Sequence, residues 1–468
     1  MYEGTNFYYD RKYAIFNQVF IMGLLLKGIT LPKRLLAQSL TLIELPPPQK
    51  VILPLKQYVG EPSKAMVSVG DSVKTGQLIA DAHNTHCLPV HATISGTVTD
   101  IKEHLDPKGS SIESICIESD GTDTWTTPPA SPGESLGYED ILKRIHDAGL
   151  ITKGLFATPL DKDLVPVDQP KTYLYRDGTD IVKKIDTLLI NGLDPEPSLG
   201  VNRYLAGTEN DTLEQGIAAL KTITGAQRVI FTVDKHFAPW PQLKDIVKKD
   251  EEEATAIIAL DGRRFPIALP IPLVKAALSR EVPLPYGHPR DVGVAVYDLH
   301  TVISLGQSIR NTTPQTETMI TLGGGAMEKK GIAKVRIGTT IGSLIDALGG
   351  LTTDAAKIIL GGPMTGMAQY DLATPITKEV TGLFALNNTD IQLSEDYREC
   401  INCGMCVKVC PVNLLPGVIS LYCAKDKFDL AEAEGLFSCI ECGACDYVCP
   451  SRRPLVHLFR HAKNQLME

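Results

Sequence analysis

Hydrophobic and polar positions change rhythm several times along this chain. From Val51 the stretch VILPLKQYVGEPSKAMVSVGDSVKTGQLIADA carries short apolar runs broken by turns at Gly70-Asp71 and Gly76-Gln77, and PVHATISGTV (residues 89–98) repeats the character. Short strands with such frequent turn signals predict a compact all-β unit of the biotinyl/lipoyl barrel-sandwich type over residues 50–118. Residues 119–137 are polar and rich in Pro and Gly and predict a linker. Over 138–305 helix-like and strand-like segments alternate. YEDILKRIHDAGL and DTLEQGIAALKTITG have helical period, while DTLLINGL, RVIFTVD, AIIAL and VGVAVYD are short apolar runs. This alternation predicts a parallel α/β layer. Over 306–390 the order strand, strand, helix, strand (MITLGGG, AKVRIG, Ser343 to Leu348, KIILGG) predicts a β-grasp unit of the SLBB kind. From 391 to 468 the pattern is mostly helical, closing on the basic amphipathic stretch PLVHLFRHAKNQ. Residues 1–49 form an N-terminal extension ending in Pro46-Pro47-Pro48. The predicted fold class is multidomain α+β.

No stretch reaches the roughly 20 apolar residues of a membrane span. The nearest, Tyr13 to Leu26, is too short and is interrupted by Asn17 and Gln18. It lacks a small-residue cleavage site behind it, so an amphipathic or buried segment is expected there, with docking on a membrane or a partner subunit as the alternative. The net charge of −9 argues against nucleic acid as a partner.

The cysteines carry the chemistry. Of 11, eight fall in two runs, Cys400, Cys403, Cys406, Cys410 with Pro411, and Cys439, Cys442, Cys445, Cys449 with Pro450. Each reads C-x2-C-x2-C-x3-C-P, the spacing of ferredoxin-type 4Fe–4S sites. Three thiolates wrap one cluster, and the fourth, just before Pro, points to the other. The expected sets are Cys400, Cys403, Cys406 with Cys449, and Cys439, Cys442, Cys445 with Cys410. Gly404 and Gly443 let the backbone fold tightly in each run. Disulfides suit small secreted chains, and an isolated C-x2-C pair is ambiguous with zinc; two complete copies of the longer spacing favour iron–sulfur clusters. Such clusters imply a reducing, cytoplasmic setting.

Other candidates are weaker. Asp194 and Glu196 flank a Gly turn (NGLDPEP) at the end of a predicted strand, where ligands of parallel sheets bind, and could hold ribose hydroxyls; a capped surface turn explains them equally. GGPMTG (361–366) lacks the P-loop lysine and reads as a structural turn. His86, Cys87 and His91 have loose metal-ligand spacing, and ordinary loop and core roles are the favoured reading. The hairpin tip NTHCLP holds no lysine, so the β unit reads as a scaffold and not as a carrier arm.

With these pieces in hand, the chain resembles the C subunit of Rnf-type electron transport complexes. The matching stretches are VILPLKQYVGEP with VGDSVKTGQLIA and HATISGTV, then DTLLINGLDPEP, PLPYGHPRDVGVAVYDLHT, KVRIGTTI, KIILGGPMTG and the two Cys runs with CIECGACDYVCPSRRPLV, in collinear order from about residue 28 to about 465. The resemblance implies a peripheral subunit on the cytoplasmic face of a membrane-bound complex. That complex passes electrons between reduced ferredoxin and, usually, NAD, and couples this to sodium or proton translocation. It also implies that the α/β domain is similar to the flavin- and NADH-binding subunit of respiratory complex I. The partners implied are the other complex subunits and ferredoxin.

Three departures accompany the match. The family's Gly-rich flavin-phosphate loop, close to G-x-G-G-A-x-F-P, is replaced by ITKGLFATPLDKDL, where Gly154 alone remains. The acidic stretch reads Asp194-Pro195-Glu196-Pro197-Ser198 in place of N-G-x-E-C-E-P-Y, and the family's G-G-I-H-P-P is Lys27-Gly28-Ile29-Thr30-Leu31-Pro32. Side chains where backbone must touch phosphate block the approach. The expectation is therefore an electron-relay subunit with two 4Fe–4S clusters and without a working FMN/NADH site. Gly154, Asp194 and Glu196 are the remaining candidates for such a site. An intact NADH dehydrogenase arm is the first alternative; a soluble flavin- or cobalamin-reductase type is the second, against which the N-terminal sandwich argues.

Overall fold

The computed structural model describes residues 19–21, 27–32, 39–84, 87–126, 136–154, 157–164, 166, 172–174, 180–182, 184–250, 254–391 and 398–467. At its centre is a five-stranded, all-parallel sheet in the order Val19–Ile21, Thr255–Leu260, Arg228–Asp234, Thr187–Asn191, Val294–Asp298. Both faces are covered, which is why its strands read as continuous apolar runs. Leu188, Ile190, Val229, Phe231 and Ile257 pack on one side with residues of helices Tyr138–Asp147, Leu213–Thr224 and Leu299–Asn311. Leu189, Ile230, Ile258 and Leu260 pack on the other, with Leu273 and Val274 of helix Pro270–Leu278.

Two small antiparallel sheets build the all-β unit. One has the order Lys50–Pro54, Ser111–Ser119, Gly96–Leu105, Ser72–Val73; the other is Lys64–Ala65, Leu78–Asp81, Val90–His91. Their inward residues Val51, Leu53, Ile79, Ile94, Val98, Ile115 and Ile117 share one core with Ile337 of the next unit. Residues 120–126 of the predicted linker are held against this sandwich, where the Thr75 amide donates to Thr124 O at 2.9 Å, and against the next unit, where Asp123 pairs with Arg336 at 2.6 Å. Residues 127–135 lie outside the described residues.

The predicted β-grasp stretch forms most of a six-stranded mixed sheet, Met367–Gln369, Ala355–Leu360, Gly382–Asn387, Glu317–Gly323, Gly331–Arg336, Leu42–Ile43, with helix Ile341–Ala347 over it. The C-terminal part is helical: Met405–Val409, Pro416–Cys423, Phe428–Ala433, Ala444–Tyr447 and Leu455–Met467. Ile419, Cys423, Leu436, Leu455 and Phe459 form its core.

The N-terminal stretch joins three sheets. Val19–Ile21 extends the parallel sheet, Ile29–Thr30 pairs antiparallel with Arg264–Phe265, and Leu42–Ile43 runs parallel to Ile332 and Ala333. Its described strands therefore pair within the chain itself. Most of the Tyr13 to Leu26 segment lies outside the described residues.

Candidate functional site

Both cysteine runs take the same local path. Asn402 and Gly404 in the first, and Glu441 and Gly443 in the second, have left-handed backbone, with φ of 56° and 70°, then 54° and 79°. Two left-handed residues so close together curl the chain, and each curl runs into a short helix, Met405–Val409 or Ala444–Tyr447. Glycine makes one of the two positions free of Cβ strain.

The helical linker between the runs brings distant cysteines together. A small apolar void is ringed by Cys410, Cys439, Cys442 and Cys445, with Leu414, Val456 and Phe459 closing it. Burial pushes the Cys439 thiol up to about 11 and that of Cys442 to about 12, and Cys445 further still; Cys410 adds to the rise at all three. Such groups are neutral thiols without metal, and a metal must displace their protons. The Leu414 amide donates to Cys410 Sγ at 3.3 Å and the Glu441 amide to Cys439 Sγ at 3.4 Å. Four thiols, a dry void and amide donors to sulfur fit an iron–sulfur cluster.

The other set is open. A Cβ on Gly417 would lie 3.5 Å from Cys406 Sγ and 3.9 Å from Cys400 Sγ, so these two flank one spot. Cys403 is exposed and Cys449 half-buried. The Arg398 amide donates to Ser451 O at 2.9 Å and ties the approach to Cys400 to the turn after Cys449. Exposed apolar side chains lie along these segments: Ile401, Met405, Leu415, Val418 and Leu421.

A buried charge cluster fixes the inner loop. Glu441, between Cys439 and Cys442, meets Arg460 Nε and Lys463 Nζ, each at 2.8 Å, and Lys463 also donates to Cys439 O at 2.8 Å. Asp446 accepts from the Val456 amide at 3.1 Å, and burial raises its pKa to about 6. Arg460 and Lys463 are not among the residues that the cysteine motifs single out. Their i, i+3 spacing on the last helix is the signal that could have found them.

Beside this loop is a cavity of about 630 Å³ at the carboxyl ends of the parallel strands, and its wall includes Lys153, Gly154, Asp194, His300, Ile440 and Glu441. Gly154 has φ of 103° and open space around its Cβ position. Lys153 Nζ donates to Lys378 O at 2.6 Å and to Thr318 Oγ1, and burial lowers its ammonium to about 8. Asp194 pairs with Arg203 Nε at 2.7 Å and accepts the Asn202 amide at 2.9 Å. Glu196 lies under the 361–366 turn, accepting the Met364 amide at 2.8 Å and the Thr365 amide at 2.7 Å. Burial raises the pKa of both carboxyl groups. Both carboxylates are thus committed to their own chain, and the Lys153 ammonium to Lys378 O and Thr318 Oγ1. His300 Nδ1, buried in the same wall, has no hydrogen-bond partner among the described residues.

No helix among the described residues is long and apolar enough to cross a membrane. Fold and cysteine sets define a multidomain iron–sulfur protein of electron transport. Residues 25–122 match the RnfC barrel sandwich hybrid domain, 319–368 the SLBB domain and 392–450 the 4Fe-4S dicluster domain. The chain is 33% identical to the C subunit of the proton-translocating ferredoxin:NAD(+) oxidoreductase complex of Clostridium ljungdahlii, over 90% of each chain. It is 30% identical to the C subunit of the Na(+)-translocating ferredoxin:NAD(+) oxidoreductase complex of Acetobacterium woodii, over 90% of this chain and 91% of the other. Among solved structures, an NAD+-reducing [NiFe]-hydrogenase in the H2-reduced state is similar at 17% identity and a TM-score of 0.45, over 69% of this chain and 62% of the other, a likeness too slight to carry an argument. The chain belongs to the RnfC family, the C subunits of ion-translocating oxidoreductase complexes.

Proposed function

We propose that this chain is the peripheral electron-relay subunit of such a complex, on the cytoplasmic face of the membrane, working between reduced ferredoxin and the other subunits. The observation that carries the reading is the position of Cys410 among Cys439, Cys442 and Cys445. It supports a crossed pairing in which Cys400, Cys403, Cys406 and Cys449 would hold one 4Fe–4S cluster, and Cys439, Cys442, Cys445 and Cys410 the other. Each cluster supplies one-electron chemistry. The chain's own residues divide the remaining work. The half-exposed set, with Ile401, Met405, Leu415 and Val418 around it, offers a ferredoxin-type partner a contact from which water is displaced. The buried set keeps its sulfurs dry, and Glu441 with Arg460 and Lys463 fixes the charge beside them. The α/β unit acts as scaffold.

A second reading, a dehydrogenase arm that takes electrons from NADH through FMN, rests on the cavity, because Ile440 and Glu441 of the inner cysteine loop form part of its wall. An anaerobic titration of iron-replete, flavin-incubated protein separates the two. Bleaching of the cluster absorbance by reduced ferredoxin but not by NADH supports the relay. Bleaching by NADH replaces it with the second reading.

A further inference from the structure

Outside the two cysteine sets, one other group of metal-ligating side chains converges among the described residues: Glu61, His83 and Cys87. His83 and Cys87 lie in the loop between strands Leu78–Asp81 and Val90–His91, and Glu61 in the turn that follows strand Lys50–Pro54. Cys87 Sγ is 4.0 Å from His83 Nε2, and the same nitrogen is 4.0 Å from Glu61 Oε2. One ligand atom from each of the three lies within 4.8 Å of the others. A tetrahedral zinc ion with Zn–S of about 2.3 Å and Zn–N of about 2.05 Å sets its sulfur and nitrogen about 3.6 Å apart. Both contacts of Nε2 exceed the tetrahedral spacing by roughly half an ångström, and Glu61 and His83, whose side chains are exposed, can close them by rotation.

We infer that Glu61, His83 and Cys87 bind one divalent ion of the zinc class, with solvent completing the tetrahedron. Cys87 is fully buried, yet it stays out of the sandwich core that takes up Val90 and Ala92. Its thiol faces polar atoms instead, Asn84 Oδ1 at 3.3 Å and Pro62 O at 3.4 Å as well as His83. Asn84 Nδ2 donates to Glu61 Oε2 at 2.6 Å and aims that carboxylate. The Tyr58 hydroxyl donates to Glu61 O at 3.0 Å and accepts from the Leu88 amide at 2.6 Å, so a single group positions both ligand-bearing segments. Outer contacts of this kind fix ligand geometry in metal sites. On binding, the thiol gives up its proton to solvent. His91 has no part in the site: it is buried, and burial with the nearby Lys378 charge holds its pKa down at about 3. His86 lies outside the described residues.

The ion would pin the loop to the 58–63 turn. Tyr58 and Leu88 pack on Ile151 and Ala157, and the Val59 amide donates to Ala157 O at 2.8 Å. The pin therefore braces the β unit against the segment that carries Lys153 and Gly154.

The test uses full-length, iron-replete protein, incubated anaerobically with zinc sulfate and then dialysed against zinc-free buffer. The expected result is about one retained zinc per chain, with an X-ray absorption shell of a single sulfur and nitrogen or oxygen neighbours. His83→Ala and Cys87→Ser are each expected to lower retained zinc at least tenfold while iron content stays unchanged. His83→Ala removes an exposed side chain, so it keeps the test valid should Cys87→Ser fail to fold. Wild-type protein that loses its zinc on dialysis overturns the inference. Equal zinc in the variants does so as well, and an all-sulfur shell would place the ion in cluster cysteines instead.

Discussion

Glu196 and Thr365 are 169 residues apart in the chain, and the Thr365 amide donates to Glu196 Oε1 at 2.7 Å. With the Met364 amide on Oε2, the carboxylate is the peg around which the 361–366 turn folds, and the turn needs glycine there. A Cβ on Gly362 would lie 2.3 Å from the Glu196 carboxyl carbon. Gly362→Ala is expected to cost about 1–3 kcal/mol by overpacking. Glu196→Gln is expected to cost a similar ~1–3 kcal/mol, because an amide donor then faces a backbone donor. In a Glu196→Ala background, Gly362→Ala should cost distinctly less. Urea midpoints of the four combinations decide this, and additive costs would refute the shared contact.

Cys410 sits with the second run. Cys410→Ser is therefore expected to remove or degrade the cluster held by Cys439, Cys442 and Cys445 while sparing the other, leaving roughly half the iron. Electron paramagnetic resonance of the reduced protein reads the outcome. A lesion confined to the cluster held by Cys400, Cys403 and Cys406 would contradict the crossed pairing.

Arg460 and Lys463 jointly compensate Glu441. Arg460→Ala leaves more uncompensated negative charge beside the buried set, so its reduction potential should fall by roughly tens of millivolts, with the exposed set unmoved. A potentiometric titration checks both the direction and the selectivity.

Lys378 is buried with its Nζ on Gly149 O at 2.6 Å, and burial lowers its pKa from 10.5 to about 8. The unfolded chain therefore holds this proton over a range where the native state has released it. Below about pH 8 the full penalty, on the order of 3 kcal/mol, applies; it fades as the pH rises through that value and is gone above the unfolded lysine's range. Native stability should accordingly climb between about pH 8 and 10.5, and Lys378→Met should flatten part of that slope. Lys153, lowered to about 8 for the same reason, adds to the slope in the same direction. Fluorescence of the buried Trp240 in urea follows the effect.

The cysteine motifs are legible in the sequence because their three leading ligands share one short turn, so spacing alone encodes the shape. The parallel sheet is legible because strands covered on both faces, such as Leu188 to Asn191, leave an unbroken apolar run. Asp194 and Glu196 stand out beside their Gly turn, but their partners do not. Arg203 follows Asp194 by nine residues on a new helix, and Met364 follows Glu196 by 168. Isolated residues carry no record of such long-range pairing. The strands Ile29–Thr30 and Leu42–Ile43 are two residues each, too short for any alternation to show. Proximity along the chain groups Cys87 with His86 and His91, while the structure sets it against His83 and Glu61.

The placement of the first strands has a consequence for biogenesis. Val19–Ile21, Ile29–Thr30 and Leu42–Ile43 leave the ribosome early, and their pairing partners begin only at Ile257, Arg264 and Ile332. The strands of residues 50–119 can pair as soon as they emerge, because their ladders lie among themselves, with only Ile337 added to their core later. The chain's leading segment must instead wait, unpaired, until most of the polypeptide has been synthesised. Its docking then closes loops of more than 230 residues, an expensive and late event. Nascent chains halted before residue 255 should thus expose this segment to chaperones or proteases, and emergence of the strand Gly331–Arg336 should complete its protection.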